Sequence, residues 1–201
     1  MVGGRVRCGR LAVVGPLVTG AGAPPGALRS EHVELTALCD GDRERLFQWI
    51  NQRPEVILNA GYSPVHERDH VEWFDRIRRR PDVVIFAIRT TADGELIGSC
   101  QLLNVDRRHS TAELQIRIGA PDARDRGLGT EAVRLLLVHA FRDLDLERVQ
   151  LHVFADNARA IRAYEKAGLR REGVLRSAAF IDGRRCDVVV MGILREEADA
   201  R

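Results

Sequence analysis

Cysteine is scarce in this chain: Cys8, Cys39, Cys100 and Cys186 stand far apart, with no C-x-x-C pair and no histidine at metal-ligand spacing. That argues against a structural metal site or a disulfide framework, and the thiols read as reduced, in a cytoplasmic protein. No apolar run reaches the ~18 residues of a membrane-spanning helix. An excess of one charge is missing too. The 31 basic and 29 acidic residues leave a formal net charge of +2, too even to argue for nucleic acid or a membrane surface as partner. The one dense basic run, Arg76-Ile77-Arg78-Arg79-Arg80, reads as the solvated end of a helix, where cations complement the dipole.

Acidic residues are absent from Met1 to Ser30, which is rich in Gly, Ala, Pro and Arg. Arg5, Arg7 and Arg10 ahead of the apolar stretch from Leu11 to Val18 imitate a signal sequence. Gly15 and Pro16 break that stretch, however, and Pro24 follows Ala21-Gly22-Ala23, where it would hinder cleavage. The expectation is a flexible segment over 1–30 and one domain over 31–201, long enough to bury a substantial core.

Past that segment the apolar periodicities alternate between two and three to four residues. His32 to Leu38 alternates as a strand, and Asp40 is placed to cap a helix running through Ile50. A second amphipathic helix carries Val71, Trp73, Phe74 and Ile77 and stops before Pro81. Strands over Val83–Arg89 and Glu95–Leu103 flank Asp93-Gly94, a hairpin signal. A strand, a charged loop, an apolar helix, a strand and another helix then fill 112 to 167. Two strands around Asp182-Gly183 end the pattern, and no internal repeat is visible. The order β-α-α-β-β-β-α-β-α-β-β is that of an α+β fold with a mixed sheet.

The chemistry concentrates at the charged loop, Asp122-Ala123-Arg124-Asp125-Arg126, which ends in Gly127-Leu128-Gly129-Thr130 at a helix start. The first amides of a helix lack intrahelical partners and carry the positive end of its dipole, and glycines let a ligand approach them. A phosphate or pyrophosphate suits such a turn. Gly127-x-Gly129-x-x-Ala132 formally fits the relaxed dinucleotide fingerprint, with Asp156 as the ribose acid. The long loop from Ala120 to Arg126 and the short remaining chain count against it. No Lys-Ser/Thr follows the glycines, which excludes a P-loop.

Arg124-x-x-Gly127-x-Gly129 also resembles the pyrophosphate loop of the GNAT superfamily of acetyl-CoA-dependent N-acetyltransferases. Asn157-x-x-Ala160-x-x-x-Tyr164-x-x-x-Gly168-Leu169 resembles that family's second signature. The likeness covers roughly Glu31 to Arg195 and is greatest to the ribosomal-protein N-terminal and spermidine acetyltransferases. It implies a GNAT-like, mostly antiparallel central sheet flanked by helices, with two central strands splayed around the pantetheine arm of acetyl-CoA. Arg117, Ile118 and Gly119 would pair with that arm. Amides of Arg124, Asp125, Arg126, Gly127, Leu128, Gly129 and Thr130 would hold the pyrophosphate, and Asn157, in the signature with Ala160, would bond the arm from the other side.

By the same resemblance Tyr164 is the general acid beside the thioester sulfur; packing under the sheet is the alternative. Glu113 occupies a position from which a carboxylate accepts the amine proton, or else is an ion-pair partner across strands. His109 is a second base candidate, and His152, inside a strand, reads as structural. Acceptor specificity would come from Trp49, Asn51, Asn59, Tyr62, His66, Glu67, His70, Glu72 and Phe180.

The expected reaction is direct attack in a ternary complex by a primary amine of a small molecule: an amino sugar, an aminoglycoside (hence antibiotic resistance) or a polyamine. Acetylation of a ribosomal or other protein N-terminus and a non-catalytic acyl-CoA sensor are the alternatives. No metal, nucleic acid or membrane is expected, and a homodimer is allowed.

Overall fold

Strand alternation gives a strand one face to bury, and among the described residues eight strands join one sheet, of which the edge strand from Arg170 to Ile181 is largely exposed. The computed structural model describes residues 28–52 and 63–199. Its elements are β1 (Leu28–Arg29), β2 (Val33–Ala37), α1 (Arg43–Ile50), α2 (Glu67–Ile77), β3 (Val84–Thr90), β4 (Leu96–Asp106) and β5 (Thr111–Ile118). They continue as α3 (Leu128–Val138), β6 (Arg148–Phe154), α4 (Ala158–Ala167), β7 (Arg170–Ile181), β8 (Arg184–Leu194) and α5 (Arg195–Asp199). The spatial order is β1-β2-β3-β4-β5-β6-β8-β7. This is the expected mixed sheet, with β1 and α5 added. Leu28 and Arg29 pair with Leu35 and Glu34, so the sheet begins ahead of the boundary expected at Glu31.

Among the described strands only β5 and β6 run parallel, and they pair over three residues, Thr111↔Arg148, Ala112↔Val149 and Glu113↔Gln150. A parallel pair needs a crossover, which α3 provides. Beyond Glu113 the strands part. β5 stays in register with β4 out to Ile118, while β6 follows β8 out to Phe154. The expected splay is therefore a consequence of which outer neighbour each strand keeps.

The sheet's two faces are covered differently. Leu35, Ile88, Cys100, Leu102 and Leu114 belong to the core that includes Ala132, Val133 and Leu136 of α3. On the other face, Arg89 of β3 reaches the Thr36 hydroxyl (3.1 Å) and the carboxylate of Asp42 (2.6 Å) at the start of α1. Asp42 also accepts from the Cys39 amide at 2.9 Å. The expected cap moves accordingly: Asp40 to Asp42 form one 3-10 turn, and α1 starts at Arg43.

α3 is tied to the sheet edge as well. Glu131 accepts from the Ser30 hydroxyl (2.7 Å) and contacts His32 Nδ1 (3.0 Å). Burial pushes this carboxyl up, but the Ser30 and His32 contacts outweigh it and hold the group below its ordinary value. The N-terminal end of α3 is thus anchored one turn in.

Candidate active site

The turn from β5 into α3 is shaped by its own main chain. Pro121–Ala123 make a single 3-10 turn, and the chain then takes left-handed values at Asp125 (φ 59°) and Gly127 (φ 82°). A left-handed residue is costly for any side chain but glycine, which accounts for Gly127. The amides of Thr130 and Glu131 close on the Gly127 carbonyl at 2.9 and 3.1 Å. Among the described residues, the five preceding amides, Asp125 to Gly129, donate to no backbone carbonyl. Consecutive free amides at a helix N-terminus form a concave donor set for an anion.

Arg124 plays a different part from the one its charge suggests. Its Nε and Nη2 donate to the carbonyls of Ile118 (3.3 Å) and Gly119 (2.8 Å), tying the loop to the end of β5. A cleft of about 260 Å³ opens between this loop, β5, α3 and α4. Arg117 and Ile118 border it, as do the loop residues Arg124, Asp125 and Gly127 through Thr130, and Asn157, Ala160 and Tyr164 of the second signature. Gly119 and Arg126 do not. Gly119 faces the Trp49 indole, and Arg126 is exposed to solvent.

The sequence reading missed Arg159, Arg162 and Lys166, which also border the cleft. Their spacing of three and four residues puts them on one face of α4, a signal legible in hindsight. They give the cleft a cationic wall; Arg159 also lies 3.6 Å from Asp125. The Asn157 side-chain carbonyl accepts the Ala160 amide at 3.1 Å, so it caps α4.

Tyr164 points from α4 into this cleft and is 9% exposed. Burial pushes its hydroxyl up to about 12. Glu113 lies outside the cleft lining, on the last rung of the parallel ladder where the strands fork. Its carboxylate is 3.6 Å from Nδ1 of His152 on β6. His109 is exposed and bonded to Asp106 at 2.7 Å.

The residues expected at the acceptor end divide. Asn59 and Tyr62 lie outside the described residues. Asn51 pairs both its amide atoms with the Val65 backbone (2.9 and 3.1 Å), a structural clasp. His70 is buried between Phe47 and Trp73 and contacts the Arg43 carbonyl at 3.1 Å; burial lowers its pKa. His66 and Glu67 are exposed, and Glu72 pairs with Arg68 at 3.2 Å. Phe180 stands 62% exposed on the edge strand β7. Among the described residues no group of three or more His, Cys, Asp or Glu is placed to hold a metal.

A family model described as an acetyltransferase (GNAT) domain matches residues 32–170. The chain belongs to the GNAT acetyltransferase family. This member is 36% identical to the spermidine N(1)-acetyltransferase of Vibrio cholerae over 53% of its own length, a match spanning 61% of that protein. It is 28% identical to the putative ribosomal N-acetyltransferase YdaF of Bacillus subtilis, over 84% of this chain and 94% of that protein. The crystal structure of the Vibrio cholerae spermidine N-acetyltransferase in complex with CoA and spermine matches with a TM-score of 0.79 at 28% identity. It covers 84% of this chain and 99% of that one. GNAT enzymes take their acetyl group from acetyl-CoA, and the free amides with their cationic wall suit its phosphates.

Proposed function

We propose that this GNAT acetyltransferase moves the acetyl group of acetyl-CoA directly onto the primary amine of a small molecule. The observation that carries this reading is one cleft bordered by the free-amide turn, the end of β5 past its fork from β6, and Tyr164.

Acetyl-CoA supplies a thioester that is already activated, so the protein's tasks are to hold, orient and move protons. The amides of Asp125 to Gly129 bind the pyrophosphate, and Arg159, Arg162 and Lys166 add charge-assisted contacts. The edge of β5 beyond Glu113 has no partner on the β6 side, which leaves main-chain groups to align the pantetheine arm. Tyr164, with its hydroxyl raised to about 12, stays protonated at neutral pH. It therefore offers a hydrogen bond, and then the proton, to the sulfur as negative charge develops there. The same rise makes it a weaker acid than a free phenol, so hydrogen bonding is the larger part of its contribution. Glu113 takes the proton that the attacking amine loses, with His152 beside it to hold the carboxylate in place.

Acetyl-CoA-dependent release of free thiol, measured against small amines and N-terminal peptides, tests the proposal. Selective release with one class of small amine is the expected result. Release with peptides alone would transfer the reading to protein N-termini, and binding of acetyl-CoA without release from any amine would leave a sensor.

A further inference from the structure

The floor of the fork on the α1 side carries two polar groups without partners among the described residues. β5 alternates: Ile118 lies on the α3 side, where its Cγ1 would be 3.5 Å from a β-carbon on Gly129. Gly119 looks into the Trp49 ring of α1. Arg117, an odd-numbered neighbour on the same strand, therefore projects to the Trp49 side, together with Glu113 and Gln115. Arg117 is partly buried and borders the cleft. Among the described residues its guanidinium has neither a hydrogen bond nor an ion pair, and loss of water alone lowers its pKa.

Beside it on β4, Gln101 sits opposite Gln115, two rungs from the Ser99↔Arg117 pair and so on the same face. Its Nε2 bonds Gln115 at 3.0 Å, while its Oε1 is buried with no donor. Assignment of the amide's two ends can be exchanged, but either way one end is buried and unmet.

A desolvated guanidinium normally comes with a counter-charge, because leaving it unpaired is costly. The acids nearby are committed elsewhere. Glu113 is about 13 Å away along the strand, at ~3.3 Å per residue, and contacts His152. Asp125 lies against Arg159. With no acid among the described residues paired to Arg117, the counter-charge is assigned to a ligand. Resting on the acetyl-transfer reading above, we propose that the acceptor is an amine bearing a carboxylate, of amino-acid type. Arg117 holds the carboxylate through its planar pair of N–H donors, and the Gln101 amide meets the acceptor's remaining polar group. A polycation such as a polyamine would instead meet an uncompensated positive charge here.

The test uses the full chain with acetyl-CoA and matched acceptors: α-amino acids, their α-carboxamides, and spermidine and glucosamine as amines without an anion. The wild-type protein should favour carboxylates over the matched carboxamides by about 10- to 100-fold in kcat/KM, the range of a charge-assisted pair. Arg117→Gln should collapse that ratio toward one, chiefly through KM, and Arg117→Lys should recover part of it. If Arg117→Gln lowers both acceptors by the same factor, Arg117 serves the shared donor and the proposal fails. Should that variant not fold, the wild-type ratio decides: carboxamides or spermidine turned over as well as carboxylates overturn the proposal while acetyl transfer stands. Absence of thiol release from every amine would overturn both.

Discussion

A β-carbon built on Gly119 would lie 2.0 Å from Cδ2 of the Trp49 indole, so the last turn of α1 rests on the bare backbone at the end of β5. This contact fixes the height of α1 above the fork. Trp49 is 5% exposed and cannot swing away freely.

Gly119→Ala should therefore cost about 1–3 kcal/mol, the range for overpacking a filled site. Urea denaturation should show a lower midpoint at unchanged slope. In a Trp49→Ala background the same substitution should cost much less, because the two sites share one contact. An additive double mutant would refute the pairing.

Gly129→Val should act on ligand binding. A β-carbon there meets only Ile118 Cγ1 at an ordinary 3.5 Å, so the fold has room at the first step. The added methyls crowd the free amides, and acetyl-CoA affinity by calorimetry should fall more than tenfold, a loss above ~1.4 kcal/mol. Unaltered affinity would remove the turn from the donor site.

Tyr164→Phe should lower kcat by about 10²- to 10⁴-fold, the span of acid–base contributions, with acetyl-CoA affinity little changed. Linkage adds an independent readout. The folded hydroxyl titrates near 12 against 10.0 unfolded, so the folded state holds the proton longer. The associated stability is complete below pH 10 and is lost as pH rises toward 12, by roughly 2 kcal/mol. Alkaline denaturation of Tyr164→Phe should lack that component, whereas an identical pH profile would contradict burial of the hydroxyl.

Asp42→Ala should destabilise the fold by about 1–3 kcal/mol, since it leaves the partly buried Arg89 guanidinium beside Thr36 without its carboxylate. Replacing both partners with apolar residues should restore much of the loss. If the single variant melts like wild type, the pair contributes nothing.

Much of this protein was written locally. Alternation in Arg148 to Phe154 defines β6 residue for residue, because burying one face is a property of the strand's own pattern. The glycine turn and the Asn157 cap are local as well: each depends on backbone geometry within a few residues. Sequence alone therefore placed the glycine turn and put Tyr164 on the helix across the cleft from it.

Tertiary structure decided what the charged residues do. The Arg124 side chain reads as added positive charge at the turn, and its guanidinium donates to the Ile118 and Gly119 carbonyls. Glu113 and His152, on different strands, meet only because β5 and β6 stay paired up to the fork. Arg117 looks like any solvated cation in a strand until the fold takes water from it, with no acid among the described residues paired to it. A side chain's charge belongs to the sequence. Its partner, or the lack of one, depends on which distant segments the fold brings alongside, and that is settled by packing across the sheet.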